Sequence, residues 1–281
     1  MTTKTVGDIV AALEAAYPPE LAESWDQVGL ICGDPDEPVR KVAFALDCTM
    51  SVVERALEEG ADMLVVHHPL LLRGVHSVAA NTPKGKVVHT LIRGGCALFA
   101  AHTNADSARP GVNDKLAELV GIRPGRPIRP VGDVDVDTPG ALERATGLGR
   151  VGTLPEPMTL REFTQRVADA LPETVWGVRA AGDPEQMVRT VAVSSGSGDS
   201  FLDDARALGV DVYVTSDLRH HPVDEHLRAG GPAVIDTAHW ASEFPWTQQA
   251  EGIVNPLGVE TCIIPVRTDP WTVSAHPNQA K

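Results

Sequence analysis

Residues Val39–His68, VRKVAFALDCTMSVVERALEEGADMLVVHH, decide the fold, because they return without a gap as Val188–Asp217, VRTVAVSSGSGDSFLDDARALGVDVYVTSD. Nine of the 30 aligned positions are identical, where roughly two would coincide by chance at ordinary residue frequencies. Val39-Arg40-x-Val42-Ala43 matches Val188-Arg189-x-Val191-Ala192, Ser51-x-x-Glu54 matches Ser200-x-x-Asp203, and Gly60-x-Asp62 matches Gly209-x-Asp211. Each piece has a structural meaning. The apolar start reads as a strand, Ser-x-x-acid as a capping box opening a helix, Gly as its stop, and the Val-rich run as a second strand. A strand, helix, strand unit sets its two strands side by side and parallel. The chain is therefore expected to be α/β, with two similar domains built on mainly parallel sheets.

Working outward, Gly94-Gly95 precedes the apolar run that ends at His102, and Gly230-Gly231 precedes the one that ends near His239. Gly121–Pro130, dense in helix breakers, reads as a connector. It divides the sequence into a first domain, 1–124, a second domain, 125–268, and a tail, 269–281. The tail holds Pro270 and Pro277 and is expected to be poorly ordered or to lie on the surface. Before the repeat, Val6, Ile9, Val10 and Leu13 fall at helical spacing, while Asp8 and Glu14 interrupt any export signal. No apolar stretch approaches the roughly 18 to 20 residues that span a bilayer, so a cytoplasmic protein is expected.

A formal net charge of −14 argues against nucleic acid as the partner, since that binding is dominated by phosphate neutralisation from clustered Lys and Arg. Cys32, Cys48, Cys96 and Cys262 are far apart in sequence with no Cys-x-x-Cys pair. They read as reduced, mostly buried thiols rather than a disulfide scaffold.

The chemistry lies at the ends of the apolar runs. Met63–Val66 delivers His67-His68, Cys96–Ala101 delivers His102-Thr103-Asn104-Ala105-Asp106, and Ala233–Ile235 leads to His239-Trp240-Ala241-Ser242-Glu243. In open parallel sheets the strand ends are where ligands sit. An acid at i+4 from a His lies one helical turn away, so both can point into one pocket. Five such donors besides His102 exceed one tetrahedral zinc, whereas two ions roughly 3.5 to 4 Å apart would use imidazoles at the flanks and a bridging carboxylate. Zinc, iron, manganese, cobalt and nickel all suit this mixture, and calcium is disfavoured by the imidazoles. His102 reads as a ligand or as a donor that orients Asp106.

His67-His68-Pro69, His102–Asp106 and His239-x-x-x-Glu243, with Trp25-Asp26-Gln27-Val28-Gly29-Leu30, resemble the Nif-three-like dinuclear metal-centre family, whose members include GTP cyclohydrolase type two homologues. Ser195–Phe201 and Tyr213–Arg219 resemble the Gly-rich turn and following strand of its second half. The resemblance spans nearly the whole chain. It implies a Nif-three-like fold of two α/β domains, two divalent metal ions between them, His67, His68, Asp106, His239 and Glu243 as ligands, and a toroidal homohexamer. Some members carry a domain inserted between the halves; the short connector marks this chain as the compact form. Gln27 departs from the usual Asn, and Ser216 from a common Gly.

A metal-dependent hydrolase acting on a small, nucleotide-like substrate is the leading expectation, with His102 or His221 as the proton donor. The alternative is a metal-handling or scaffold protein without catalysis. Asp217 and His221 either face the metal or are simply solvated. Gly196-Ser197-Gly198 either cradles a phosphate or is only a turn. Trp25 is expected to be a packing anchor rather than a substrate platform, and His220 and His226 surface residues.

Overall fold

The computed structural model describes residues 3–135 and 137–275. The chain forms two compact units that interleave along the sequence. The first comprises Met1–Lys115, Arg129–Leu148 and Phe244–Thr268; the second comprises Leu116–Ile128, Gly149–Glu243 and Asp269–Lys281. The chain first crosses within the helix Val112–Val120 rather than at 124/125. Phe244–Thr268, expected in the second domain, joins the first for two physical reasons. Strand Glu260–Ile263 extends the first sheet by pairing parallel to Lys41–Ala45, and helix Trp246–Val254 buries Trp246, Ala250 and Val254 in the first core.

The first unit's sheet runs Glu260–Ile263, Lys41–Ala45, Met63–Val66, Ala97–Ala100, Gly29–Cys32. Its first four strands are parallel and Gly29–Cys32 closes one edge antiparallel. Alternate residues of each strand face opposite sides. Val42, Phe44, Met63, Val65 and Phe99 pack beneath the amino-terminal helix Val6–Ala16 and Trp246. Ala43, Ala45, Leu64, Val66 and Leu98 pack against Val52, Val53, Ala56, Val87 and Leu91 of the two crossover helices. Both faces are covered, which is why these strands read as unbroken apolar runs rather than an alternating pattern. The amino-terminal helix buries Val6, Ile9 and Leu13, and a Thr5–Asp8 capping box opens it.

The second unit's sheet runs Arg179–Ala181, Ala233–Thr237, Val212–Ser216, Met187–Ser197, Arg150–Thr159, Arg123–Pro124. Only Ala233–Thr237, Val212–Ser216 and Met187–Ser197 run parallel; the outer strands pair antiparallel. One parallel pair comes from the repeated strand, helix, strand unit and the other from the helix His220–Arg228 and strand that follow it; the antiparallel strands lie outside both.

Both copies of the repeat form that unit, with Met50–Glu58 and Leu202–Leu208 as the helices. Both copies share a strand clamp. Asp62 Oδ2 accepts the backbone N–H groups of Arg40 and Lys41 at 2.7 and 3.1 Å, and Asp211 Oδ2 accepts those of Arg189 and Thr190 at 2.8 and 2.7 Å. Gly60 and Gly209, at φ +69° and +65°, end the helices in the left-handed region and turn the chain toward each Asp. The helix starts differ from the capping-box reading. Thr49, two residues ahead of Ser51, caps the first helix by accepting Val52 N–H, and the second is entered through a 3-10 turn, Asp199–Phe201. Thr49 offers the same hydroxyl at the position where the helix begins, which leaves Ser51 inside the first turn.

No helix among the described residues is long and apolar enough to cross a membrane. Of the tail, Asp269 is buried and Trp271 lies 5.7 Å from Trp176, ring centroid to centroid; Pro277 lies outside the described residues. All four cysteines are free thiols, and burial pushes Cys48 and Cys96 up to about 12.

Candidate metal centre

In the first unit, strand Met63–Val66 ends where His67 N–H and His68 N–H both bond to the Leu46 carbonyl, at 3.1 and 3.0 Å. That turn delivers two successive imidazoles to one place, their centroids 5.1 Å apart. His102 arrives from the neighbouring strand, with its ring 5.2 Å from His67 and 5.7 Å from His68. One nitrogen from each of the three lies within 4.8 Å of the others. Asp106 closes the first helical turn after the strand, its N–H bonded to the His102 carbonyl at 3.0 Å. Its Oδ1 stands 3.8 Å from His67 Nε2. That separation exceeds a hydrogen bond and is near the roughly 3 to 3.5 Å span of two ligands on one zinc-like ion.

The orientation of each ring is set from behind. His67 Nδ1 donates to the Ala101 carbonyl at 2.7 Å, since a carbonyl oxygen only accepts. His68 Nδ1 is bound to Asp47 Oδ1 at 2.7 Å, and His102 Nδ1 to Asp26 Oδ1 at 2.9 Å. Asp26 is buried and also accepts Thr103 N–H at 3.0 Å and the Thr103 hydroxyl at 2.5 Å. Burial opposes its charge, yet the bonds from His102 and Thr103 together prevail and hold the carboxyl well below the usual range. Asp47 is itself held by the Thr268 hydroxyl. In each ring a proton is therefore committed at Nδ1, and Nε2 carries the lone pair that a metal would take.

The second unit repeats this arrangement with different residues. His239 opens the short helix His239–Glu243, so Glu243 falls one turn later. His239 Nδ1 bonds Asp217 Oδ2 at 2.7 Å, and its Nε2 lies 3.1 Å from Glu243 Oε2. The buried Glu243 carboxylate, aided by Asp217 and opposed by burial, pushes His239 up to about 11. Without a metal the pair takes a proton; a metal cation at Nε2 would meet the same demand for positive charge. Asp217 has φ +57°, the only non-glycine residue with positive φ among the described residues. Asp tolerates that conformation better than most residues, and here it accompanies the bond to His239.

Gly196 lies over the pair. At φ +61°, a Cβ added there would stand 2.2 Å from Glu243 Oε1 and 3.0 Å from His239 Nε2. Its N–H donates to the Ser242 hydroxyl at 3.0 Å, and that hydroxyl donates to the His239 carbonyl at 2.8 Å. Gly198 plays a packing role, since a Cβ there would strike Thr215, Tyr213 and Ser194. Imidazole nitrogens backed by carboxylates or a carbonyl, each with a further carboxylate or imidazole nearby, make a donor set that fits a borderline divalent ion.

Sequence reasoning found the His and the i+4 acids and missed most of what stands behind them. Asp26 and Asp47 had no role assigned. Trp25, expected to be a packing anchor, is 55% exposed, its ring at 77° to that of His102 with centroids 6.0 Å apart; it is the adjacent Asp26 that turns inward. His226, expected at the surface, is buried, and its Nε2 bonds the Pro232 carbonyl at 3.0 Å. Glycine at 231 leaves room for that ring. His221 stands exposed on the first turn of helix His220–Arg228, its ring 5.1 Å from that of His220.

Fold and donors together define a mixed α/β protein whose His and carboxylate clusters could hold a metal ion. The profile of the family described as Duf34/NIF3 (NGG1p interacting factor 3) matches residues 4–270, and the chain belongs to that family. A Streptomyces coelicolor protein named "GTP cyclohydrolase 1 type 2 homolog" is 49% identical over 274 residues, covering 95% of this chain and 93% of its own. A Mycobacterium tuberculosis protein of the same name is 40% identical over 370 aligned positions, 95% of this chain and 97% of its own. The solved structure of a Bacillus cereus protein related to NIF3 matches with a TM-score of 0.85 over 98% of this chain and all of that one. At 24% identity this is a likeness of fold.

Proposed function

We propose that His67, His68, Asp106, His239 and Glu243 are the ligands of two divalent metal ions, and that the protein hydrolyses a small nucleotide-like molecule. The ions in question are zinc, iron, manganese, cobalt or nickel. One observation carries the reading: His67, His68 and His239 each commit Nδ1 to a carbonyl or carboxylate, which leaves Nε2 as the donor atom. Such backing orients a ring and raises its basicity toward a metal. Divalent ions, when bound, supply Lewis acidity and make water a nucleophile near neutral pH.

The chain's own groups do the rest. Asp47 and Asp217 hold two imidazoles in register, while Asp106 and Glu243 supply negative charge. His102 is the proton carrier at Nε2, its ring held from behind by the bond between Nδ1 and Asp26 so that Nε2 is placed to pass a proton to a departing nitrogen. His221→Ala is the control for that role and leaves activity unchanged. A purine nucleotide is the substrate class suggested by the names of the curated relatives. We also propose a cytoplasmic homohexamer, on the family resemblance.

The test is elemental analysis and a substrate screen on purified protein. Wild type carries two ions per chain and converts GTP or a related nucleotide; His68→Ala and Glu243→Ala keep their circular dichroism and lose metal and turnover together. Unchanged metal stoichiometry in both variants refutes the ligand assignment. Retained metal with no turnover across phosphorylated and cyclic amide substrates favours a metal-handling role.

A further inference from the structure

We infer that Trp25 is a stacking platform for the flat heteroaromatic ring of the substrate, a purine base, beside the imidazole cluster of the first unit. The inference rests on the reading of that cluster as the reaction site and adds how the ligand is recognised there. An exposed tryptophan is costly surface for a soluble protein to display, since its indole buries more apolar area than almost any other side chain when covered. Trp25 nonetheless leaves 55% of its surface open. Its ring centroid lies 6.0 Å from that of His102, with the planes at 77°. The two rings are thus roughly perpendicular, and more than half of the Trp25 surface faces solvent.

The indole is carried on a pinned turn. The Asp26 N–H bonds the Glu23 carbonyl at 2.9 Å, the Glu23 N–H bonds the Thr103 hydroxyl at 2.9 Å, and the Asp26 carboxylate holds both His102 and Thr103. The residue that follows the indole is therefore the one that orients the imidazole. Platform and His102 share one hydrogen-bonded scaffold, and a ring stacked on Trp25 is placed relative to His102 without further ordering of the protein. Such pre-organisation cuts the entropic cost of binding. A planar ligand gains from this surface through its π-face, and purines offer the largest π-face of the common bases.

Binding of guanosine, GTP and inorganic triphosphate to the full-length protein, measured by titration calorimetry with and without added metal, tests the idea in wild type, Trp25→Ala and Trp25→Phe. Metal content and oligomeric state are measured on the same samples. Trp25→Ala is expected to weaken guanosine and GTP roughly tenfold or more. Trp25→Phe should lose only a few-fold, triphosphate binding should not change, and metal content and assembly should match wild type. Wild-type affinity for guanosine in Trp25→Ala overturns the platform, as does a wild type that binds no purine nucleoside. Loss of metal or a changed assembly in Trp25→Ala also overturns it, by making Trp25 a structural or interface residue. Because metal content is read separately, failure of the platform with wild-type metal retained leaves the metal centre standing. Metal absent from wild type strikes the proposed function instead.

Discussion

Replacing Gly196 with alanine sets one methyl group against the His239–Glu243 pair of the second unit, and the structure supplies its own control. At Gly196 the new Cβ would lie 2.2 Å from Glu243 Oε1, so the carboxylate must withdraw by about 1 Å to reach ordinary contact. Gly209 has nearly the same backbone, φ +65° against +61°, with nothing within 4 Å of its added Cβ. Both alanines therefore incur the left-handed conformation, about 1 kcal/mol each. Only Gly196→Ala also pushes a buried carboxylate off His239, a charge-assisted contact of 3.1 Å of a kind worth roughly 1.5 to 3 kcal/mol. Gly209→Ala should cost about 1 kcal/mol and Gly196→Ala about 2 to 4 kcal/mol in urea unfolding. Metal titration separates them further: Gly209→Ala should bind as wild type, and Gly196→Ala should lose on the order of ten- to a hundredfold in affinity. Equal unfolding midpoints for the two variants, together with wild-type metal affinity in Gly196→Ala, would refute the reasoning that this glycine is required by the carboxylate below it.

Two further outcomes are expected. Asp211→Ala removes the acceptor for two backbone N–H groups and the Thr190 hydroxyl and should cost roughly 2 to 4 kcal/mol in chemical unfolding. Burial opposes the charge of Asp211, but the bonds from Thr190 and Arg189 outweigh it and depress its pKa. The stabilisation is thus complete above the unfolded value of about 4 and disappears as pH falls through the lower folded value. Wild type should lose more stability than Asp211→Ala between pH 5 and pH 3; parallel losses would argue against the clamp. Asp217→Asn keeps a residue that tolerates positive φ but withdraws the charge behind His239. It should weaken metal binding by about tenfold or more while the melting temperature stays close to wild type, and an unchanged metal affinity would remove Asp217 from the centre.

How much of this was legible in the sequence depends on the range of the interaction. Strand, helix and stop signals are local, so the repeat, the amino-terminal helix and the delivery of His67, His68 and His239 at strand ends could all be read directly. The i+4 acids were legible for the same reason, because helical geometry alone places Asp106 and Glu243 one turn after His102 and His239. Asp26 was not legible. It reaches His102 across 76 positions of sequence, and nothing near it signals an inward carboxylate beside an outward indole. The return of Phe244–Thr268 to the first unit was hidden likewise. A strand added at a sheet edge is chosen by pairing with Lys41–Ala45, a partner that sequence pattern does not name.

The repeat also held a signal that the structure makes readable. Its columns pair Asp47 with Gly196 and His68 with Asp217. In the first unit the earlier column supplies the carboxylate and the later one the imidazole that it orients. In the second unit the later column supplies the carboxylate, for an imidazole brought by a different strand end, and the earlier column has shrunk to glycine over Glu243. A strand, helix, strand unit fixes where its strand ends emerge but not which donor stands there, so duplicated scaffolds can divide the work of holding and backing an imidazole differently. Aspartate in one copy opposite histidine or glycine in the other then marks a position that faces chemistry in both. Restoring the symmetry at Gly196 with Asp would drive a carboxylate into Glu243 and should abolish metal binding more completely than alanine does, since like charges add to the steric clash.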